Sequence, residues 1–289
     1  MHRIIQLFLI CGLLVSFEGL AQKKGQPKKP PNPLKQFLQT QFWIGLKGGP
    51  NLTKANPTQF YSSFDGVDFV DTELEKDYDD FKTLGSQVGL EFVFYHRGFS
   101  LAFFPNYARF NFTYHNSYTY ESSSNPEDMV LLDYSQKNHL EYIDLPLMFK
   151  YDILQEKVRP FVQIGAYYSR LLNANKELNI ENNDLASGAA QPYQAPAVIV
   201  GAKDIFIGSS LGLMAGVGVH YDPGNIRLSF DINYRYGMNN IASAENRYKE
   251  NRLAASGDAM DDLTFDNLSM NIGVFFPMRF ISKSFNSDF

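Results

Sequence analysis

The sequence predicts an all-β protein, an eight-stranded antiparallel up-and-down transmembrane β-barrel with long extracellular loops. Three observations support this fold class. A long stretch near the C-terminus alternates apolar residues with small or polar ones, seven earlier stretches do the same, and the connections between them are short and long in turn. Alternation with a period of two is typical of strands that have one apolar and one polar face.

The stretch at residues 266–280 shows the pattern most clearly. Every second residue in it is apolar: Leu268, Met270, Ile272, Val274, Phe276, Met278 and Phe280. Strands of soluble proteins average about five or six residues, whereas a strand that crosses an outer membrane needs about ten, with lipid on one face and a polar interior on the other. The length of this stretch therefore favours a membrane-spanning strand.

Seven earlier stretches repeat the alternation, at about residues 42–49, 86–95, 99–107, 142–151, 162–169, 210–221 and 226–236. The third strand continues through residues 107–120, and residues 129–139 are predicted to return beside it as a hairpin above the membrane. Aromatic residues on the apolar faces fall near the strand ends, as in the girdles of outer membrane barrels. One rim would carry Phe42, Tyr151, Tyr221 and Phe280, and the other Tyr107, Tyr168, Tyr234 and Tyr236.

The connections alternate in length along the chain. Short turns are predicted at residues 96–98, 152–157 and 222–225, and long polar loops at residues 50–82, 173–205 and 238–262, with one additional short strand near residues 197–201. Bacterial barrels place short turns and both termini in the periplasm and long loops outside. The sequence therefore predicts an integral outer membrane protein whose two termini are periplasmic.

The chain is predicted to have four segments. Residues 1–21 have the positive start, the apolar centre and the small-residue cleavage site of a secretory signal peptide. Residues 22–41, rich in lysine and proline, are predicted to form a periplasmic linker, residues 42–281 the barrel, and residues 282–289 a C-terminal tail. Because Cys11 lies in the predicted signal peptide, the mature chain has no cysteine for a disulfide, a thiolate metal site or a nucleophile.

The polar faces of the predicted strands carry charges of both signs. They are Lys47, Lys150, Arg227, Arg235 and Arg279 against Glu91, Asp144 and Asp231. The interior of an eight-stranded barrel is just wide enough for side chains to fill. We therefore expect a plug made of ion pairs and hydrogen bonds, with a selective pore as the alternative.

The sequence contains material for catalysis near the predicted outer rim, but no motif that fixes its geometry. The residues are His115, His139, Ser117, Asp133 and Ser135. We predict a non-enzymatic protein with no catalytic, cofactor-binding or metal-binding residues. The acidic loop at residues 50–82 could hold a divalent cation, but it lacks the spacing of a calcium loop, so a solvated loop is the favoured interpretation.

Four stretches make the chain similar to a known family. They are residues 44–53, 139–151, 159–166 and 208–219, and the most specific positions are Tyr142, Pro146 and Lys150. On these residues the chain resembles the PorT-type outer membrane β-barrel family of Bacteroidetes. The resemblance covers about residues 42–280 and implies an eight-stranded outer membrane barrel. It also implies a possible accessory role in type IX protein secretion.

The predicted function is that of a non-enzymatic outer membrane barrel whose extracellular hairpins bind a partner or a surface. The expected partners are outer membrane lipids and lipopolysaccharide, together with a protein at the extracellular loops or the periplasmic linker. The formal net charge of −5 gives no basis for nucleic-acid binding. A small-solute channel is the main alternative, and a hydrolase at the outer rim is a third.

Overall fold

The computed structural model describes residues 39–61, 76–121, 129–154, 156–184, 191–194, 197–248 and 259–278. The strands within these ranges are β1 (Gln41–Gln59), β2 (Asp77–Tyr78), β3 (Leu84–His96), β4 (Phe99–Phe103), β5 (Asn106–Glu121), β6 (Met129–Asp152), β7 (Val158–Asp184), β8 (Gln191–Gln194), β9 (Val198–Gly201), β10 (Ser209–Tyr221), β11 (Arg227–Gly237) and β12 (Asp262–Pro277). The predicted signal peptide, most of the linker, residues 62–75 of the acidic loop, Arg279, Phe280 and the tail lie outside the described residues.

The strand pairings close into a ring. β1 pairs with β12 on one side and with β3 on the other, and the order continues through β4 and β5, β6, β7, β10 and β11 back to β12. β4 and β5 share one position, because each pairs with both β3 and β6. The ring therefore has eight positions, and the predicted all-β, antiparallel, up-and-down order is confirmed. Closure removes the unpaired edges of the sheet.

The two faces of the ring differ as the alternation predicts. The outward side chains of β3 from Val88 to Phe94 are apolar and exposed, whereas Gln87 and Glu91 are buried in the interior. The tyrosines predicted for the two rims, Tyr107, Tyr151, Tyr168, Tyr221, Tyr234 and Tyr236, are all exposed on the outer face. Among the described residues no helix is long and apolar enough to span a membrane.

Two predicted loops are wrong in part. Residues 51–59 of the predicted first loop continue β1, and residues 173–184 of the predicted loop after the fifth strand continue β7. Both segments have polar residues on their outer face, so the apolar alternation that identifies a membrane strand is missing there. They are strands because they pair with β12 and β6. β2 and β8 also lie where loops were predicted, and β9 confirms the short strand expected near residues 197–201.

The predicted hairpin above the third strand is confirmed. β5 and β6 pair without interruption from Asn106 opposite Asp144 to Glu121 opposite Met129. The strand before it is broken at Phe104 and Pro105, where proline lacks the N–H that a ladder needs. At the opposite end, the turn after His96 has positive φ at Arg97 (49°) and Gly98 (91°), as a two-residue hairpin turn requires.

Candidate functional site: a filled interior and a capped mouth

The middle of the ring is occupied by a network of four charged side chains. Lys47 Nζ lies 2.9 Å from Glu91 Oε2 and 2.7 Å from Asp231 Oδ2, and Lys150 forms a second ion pair with Glu91. All four side chains are buried. Buried charges are stable only when they are paired, and here each carboxylate faces at least one ammonium group.

Amide side chains extend this network across the interior. Asn271 Nδ2 and Asn233 Nδ2 donate to Asp231 Oδ1 at 2.9 and 2.5 Å, and Gln87 Nε2 donates to Asn271 Oδ1 at 2.6 Å. The network therefore links β1, β3, β11 and β12 through side chains as well as through backbone pairing.

A separate ion pair lies next to the middle network, towards the long connections. Arg235 Nη2 donates to Asp144 Oδ1 at 2.7 Å, and Ser169 Oγ donates to the same oxygen at 2.5 Å. The Arg235 guanidinium stacks on the Tyr167 ring, 3.9 Å from its centroid. Two cavities of about 10 Å³ each flank Arg235, and each has room for about one water.

The end with short turns has its own cluster, which sequence reasoning found only through Arg227. Asp222 pairs with Arg159 and with Arg227, whose Nε lies 2.9 Å from Oδ1. Arg227 also stacks over Trp43, 4.3 Å from the ring. Asp222 was interpreted as a turn residue and Arg159 was not selected, although Arg159 shares the inward parity of Phe161 and is equally buried.

Inward glycines leave the space that large neighbours occupy. A Cβ added at Gly218 would overlap the Phe161 ring, and one at Gly212 would lie 2.7 Å from the Tyr167 hydroxyl. Gly45 lies directly under Phe275 in the same way. The predicted narrow interior is therefore confirmed: wall residues are small where side chains from facing strands fill the centre.

An apolar cluster closes the end of the ring that carries the long connections. Connection residues pack here against inward residues of the strands, and we call this set the mouth cluster. Its members are Ala55, Ala108, Phe110, Phe112, Tyr114, Leu140, Tyr142, Leu171, Ala174, Ala202, Ile205, Phe206, Ile241, Ala242, Met260, Leu263 and Phe265. No periodic pattern predicts the connection residues, because they lie outside the strands.

A buried lysine fastens these connections together. Lys76 Nζ donates to the Tyr61 carbonyl (2.8 Å), the Ala259 carbonyl (2.6 Å) and Asp261 Oδ1 (2.7 Å), so three acceptors match its three N–H groups. The Tyr78 hydroxyl donates a hydrogen bond to the other carboxylate oxygen of Asp261, at 2.7 Å. Lys76 therefore joins three chain segments over the mouth cluster.

The five residues considered for catalysis do not form a nucleophilic site. Ser117 Oγ donates to Asp133 Oδ1 at 2.5 Å, and His139 Nδ1 lies 2.7 Å from the Asn111 amide oxygen. Ser135 is opposite His115 in the strand register, but within the described ranges no hydrogen bond joins a histidine to either serine. The same part of the chain contains no group of three potential metal ligands.

Two titratable groups close to these five residues have shifted pKa values. Burial lowers the pKa of His139, and the nearby positive charges of Arg109 and Lys137 lower it further, against the opposing effect of Glu177. Burial would raise the pKa of Asp79, but hydrogen bonds from Lys82 and His115 outweigh that effect and hold it below its usual value.

Comparison with known proteins gives one family match. The family model described as "Outer membrane protein beta-barrel domain" matches residues 21–243. A search of curated proteins found no match. Similar solved structures include Neisserial surface protein A (14% identity, 81% of this chain and 96% of that chain, TM-score 0.34). They also include Ail, the attachment invasion locus protein of Yersinia pestis (12%, 82% and 99%, 0.29), and outer membrane protein W of E. coli (14%, 83% and 98%, 0.32).

Proposed function

Because the chain belongs to the outer membrane protein beta-barrel domain family, we propose that it crosses the bacterial outer membrane as an eight-stranded barrel. Both termini and the short turns then lie in the periplasm, and the long connections lie outside the cell. The protein is non-enzymatic, and the sheet of β5, β6 and β7 that extends beyond the membrane binds a protein partner or another surface.

The observation that carries this proposal is the inverted polarity of neighbouring residues. Leu46 is 60% exposed while the next residue, Lys47, is 4% exposed, and Ile272 is 67% exposed beside Asn271 at 1%. In water, leaving a leucine or isoleucine exposed forgoes about 1.5–3 kcal/mol of burial free energy per side chain. The pattern is stable when the surroundings are hydrocarbon, which favours a membrane-spanning barrel.

The length of the strands supports a surface outside the bilayer. β6 has 24 residues and β7 has 27, whereas crossing takes about ten. The excess of about 14 to 17 residues would extend roughly 45–55 Å along the strands at about 3.3 Å per residue. Its outer face carries Asp133, Lys137 and Glu177, which are polar and accessible. A solvated, charged sheet of this kind suits recognition of a partner.

Orientation can be tested with single cysteines, because the only cysteine of the chain is Cys11 in the predicted signal peptide. We expect a membrane-impermeant maleimide to label Ser135→Cys on intact cells, whereas Lys157→Cys should react only after lysis. Labelling of the Lys157 variant on intact cells would overturn the proposed orientation. Purified protein that remained folded and monomeric without detergent would overturn the barrel itself.

The filled interior favours a barrel that does not conduct. Refolded protein in planar bilayers should show no steady conductance. Arg235→Ala removes the partner of Asp144. If the unmodified protein shows any current, that current should persist in this variant. A steady conductance that Arg235→Ala or Asp231→Ala abolishes would instead support the small-solute channel.

The specific form of the proposal is a PorT-type protein accessory to type IX secretion. It rests on the resemblance at Tyr142, Pro146 and Lys150. The experiment compares secreted and surface proteomes of cells that lack the gene and of cells complemented with Asp133→Ala/Lys137→Ala. Glu156→Ala, at a short turn, is the control. Unchanged proteomes in the deletion strain would refute the secretion role.

A further inference from the structure

Two arginines lie on the outer face of the ring, at the same distance beyond a rim tyrosine. Arg109 follows Tyr107 by two residues on β5, and Arg170 follows Tyr168 by two residues on β7. Residues two apart share a face of a strand, and all four side chains are exposed. Both arginines are displaced from their tyrosine in the direction of the long connections.

One strand separates the two arginines. Arg109 is opposite Glu141 of β6, and Arg170 is opposite Ile143 of the same strand. Two interstrand spacings and a two-residue offset put their Cα atoms about 12 Å apart. The side chains can therefore approach one ligand from two sides, and a phosphorylated disaccharide can bridge them.

Neither guanidinium is neutralised by a carboxylate within the described part of the chain. The exposed Lys54 and Lys82 pair with Asp80 and Asp79, at 2.8 and 2.5 Å, but no ion pair of 4.0 Å or less involves Arg109 or Arg170. Glu141 lies between them, and its carboxylate interacts with the Tyr107 hydroxyl. The site therefore has two unpaired positive charges and one negative charge.

On the proposed function, on which this inference rests, the rim tyrosines mark the level where hydrocarbon meets the headgroups. A charged side chain two residues beyond these tyrosines lies among the headgroups. Arginine binds phosphate through paired, charge-assisted hydrogen bonds, and basic side chains at this depth attract anionic lipids. Unpaired arginines would otherwise remain solvated at the edge of a low-dielectric layer.

We propose that Arg109 and Arg170 together bind the phosphate groups of a phosphorylated glycolipid of the outer leaflet, such as lipopolysaccharide. The acyl chains of the lipid lie along the apolar outer face of β5 to β7. Tyr107 and Tyr168 flank its sugar. Glu141 weakens the site for a bare phosphate and helps select a headgroup whose hydroxyl groups can donate to it.

The test measures binding of purified, detergent-folded protein to bis-phosphorylated lipid A, to the same lipid without phosphates, and to inorganic phosphate. We expect saturable binding of the phosphorylated lipid that Arg109→Gln/Arg170→Gln weakens at least tenfold, as expected when about 1.4 kcal/mol or more is lost. Arg97→Gln, at a short turn, is the matched control and should bind as the unmodified chain does. Glu141→Gln should tighten the binding of inorganic phosphate and reduce the preference for the lipid.

Three outcomes would overturn the inference: equal binding by the double variant, equal binding of the dephosphorylated lipid, or inorganic phosphate competing as well as the lipid. The last outcome would identify a free phosphate site instead. Insertion into vesicles is measured in parallel. If the unmodified chain inserts but shows no arginine-dependent binding, only this inference fails, whereas failure to insert would remove the proposed function as well.

Discussion

Replacing Lys47 by methionine tests the filled interior directly. Lys47 serves two carboxylates, Glu91 and Asp231, and all three side chains are at most 4% exposed. After the change Glu91 keeps its ion pair with Lys150, but Asp231 keeps only the neutral amides of Asn271 and Asn233. Breaking a buried pair by removing one partner costs about 3–5 kcal/mol, because a buried charge is left uncompensated. We expect Lys47→Met to lower the free energy of unfolding by that amount.

Lys54→Met is the matched control. Lys54 is on the same strand but faces outward, and its pair with Asp80 is open to solvent, with side-chain exposures of 32% and 60%. Exposed pairs contribute about 0–1 kcal/mol. The two substitutions remove the same atoms from one strand, so the difference between them isolates the contribution of the interior.

The assay is urea unfolding in lipid vesicles, followed by the fluorescence of Trp43, the only tryptophan of the chain. Trp43 is buried in the ring, so its emission reports the loss of the interior. Lys47→Met/Asp231→Asn removes the uncompensated charge and should recover part of the lost stability. If Lys47→Met destabilised the protein no more than Lys54→Met does, the interior would be hydrated, and the argument for a plugged barrel would be refuted.

Three further changes test other parts of the structure. Lys76→Met leaves Asp261 without its buried cation and should destabilise the packing of the connections over the mouth cluster by about 3 kcal/mol. We expect faster proteolysis of the long connections by an external protease, with an unchanged urea midpoint for the barrel. Gly45→Val would overlap a buried phenylalanine ring of β12 and should reduce the folded yield, whereas Gly224→Ala, with nothing within 4 Å of the added Cβ, should not. Because burial lowers the pKa of His139, the unfolded chain takes up a proton first as pH falls. The free energy of unfolding should therefore decrease below about pH 6.5, and His139→Asn should flatten that slope.

The membrane-facing part of the ring was predictable from the sequence because two solvents act on alternate residues there. Val88, Leu90 and Phe92 had to face hydrocarbon, which placed Glu91 inside without any knowledge of the neighbouring strands. The inward positions of Lys47 and Asp231 followed by the same parity. Their direct pairing did not follow, because it depends on which strands are neighbours in the closed ring.

The part beyond the membrane was predicted less well because water faces it. Residues 173–184 of β7 have Asn, Lys and Glu at most positions, a composition that propensity assigns to a loop. The long β6 beside them supplies the hydrogen bonds that make them a strand. The bonds of Lys76 over the mouth cluster were not predictable, since Lys76 and its partner Asp261 are 185 positions apart in the sequence.

The filled interior determines where this protein can interact with other molecules. Ion pairs occupy the centre of the ring, arginine clusters fill the end with short turns, and the mouth cluster closes the other end. Among the described residues, the outer face is therefore the surface that remains for the proposed binding. That face changes character at Tyr107 and Tyr168, from apolar below to mainly polar and charged above. In the proposed orientation, the lower part faces lipid and the upper part faces headgroups and external partners. Substitutions at Arg109 and at Lys137 should therefore separate lipid binding from partner binding within one folded barrel.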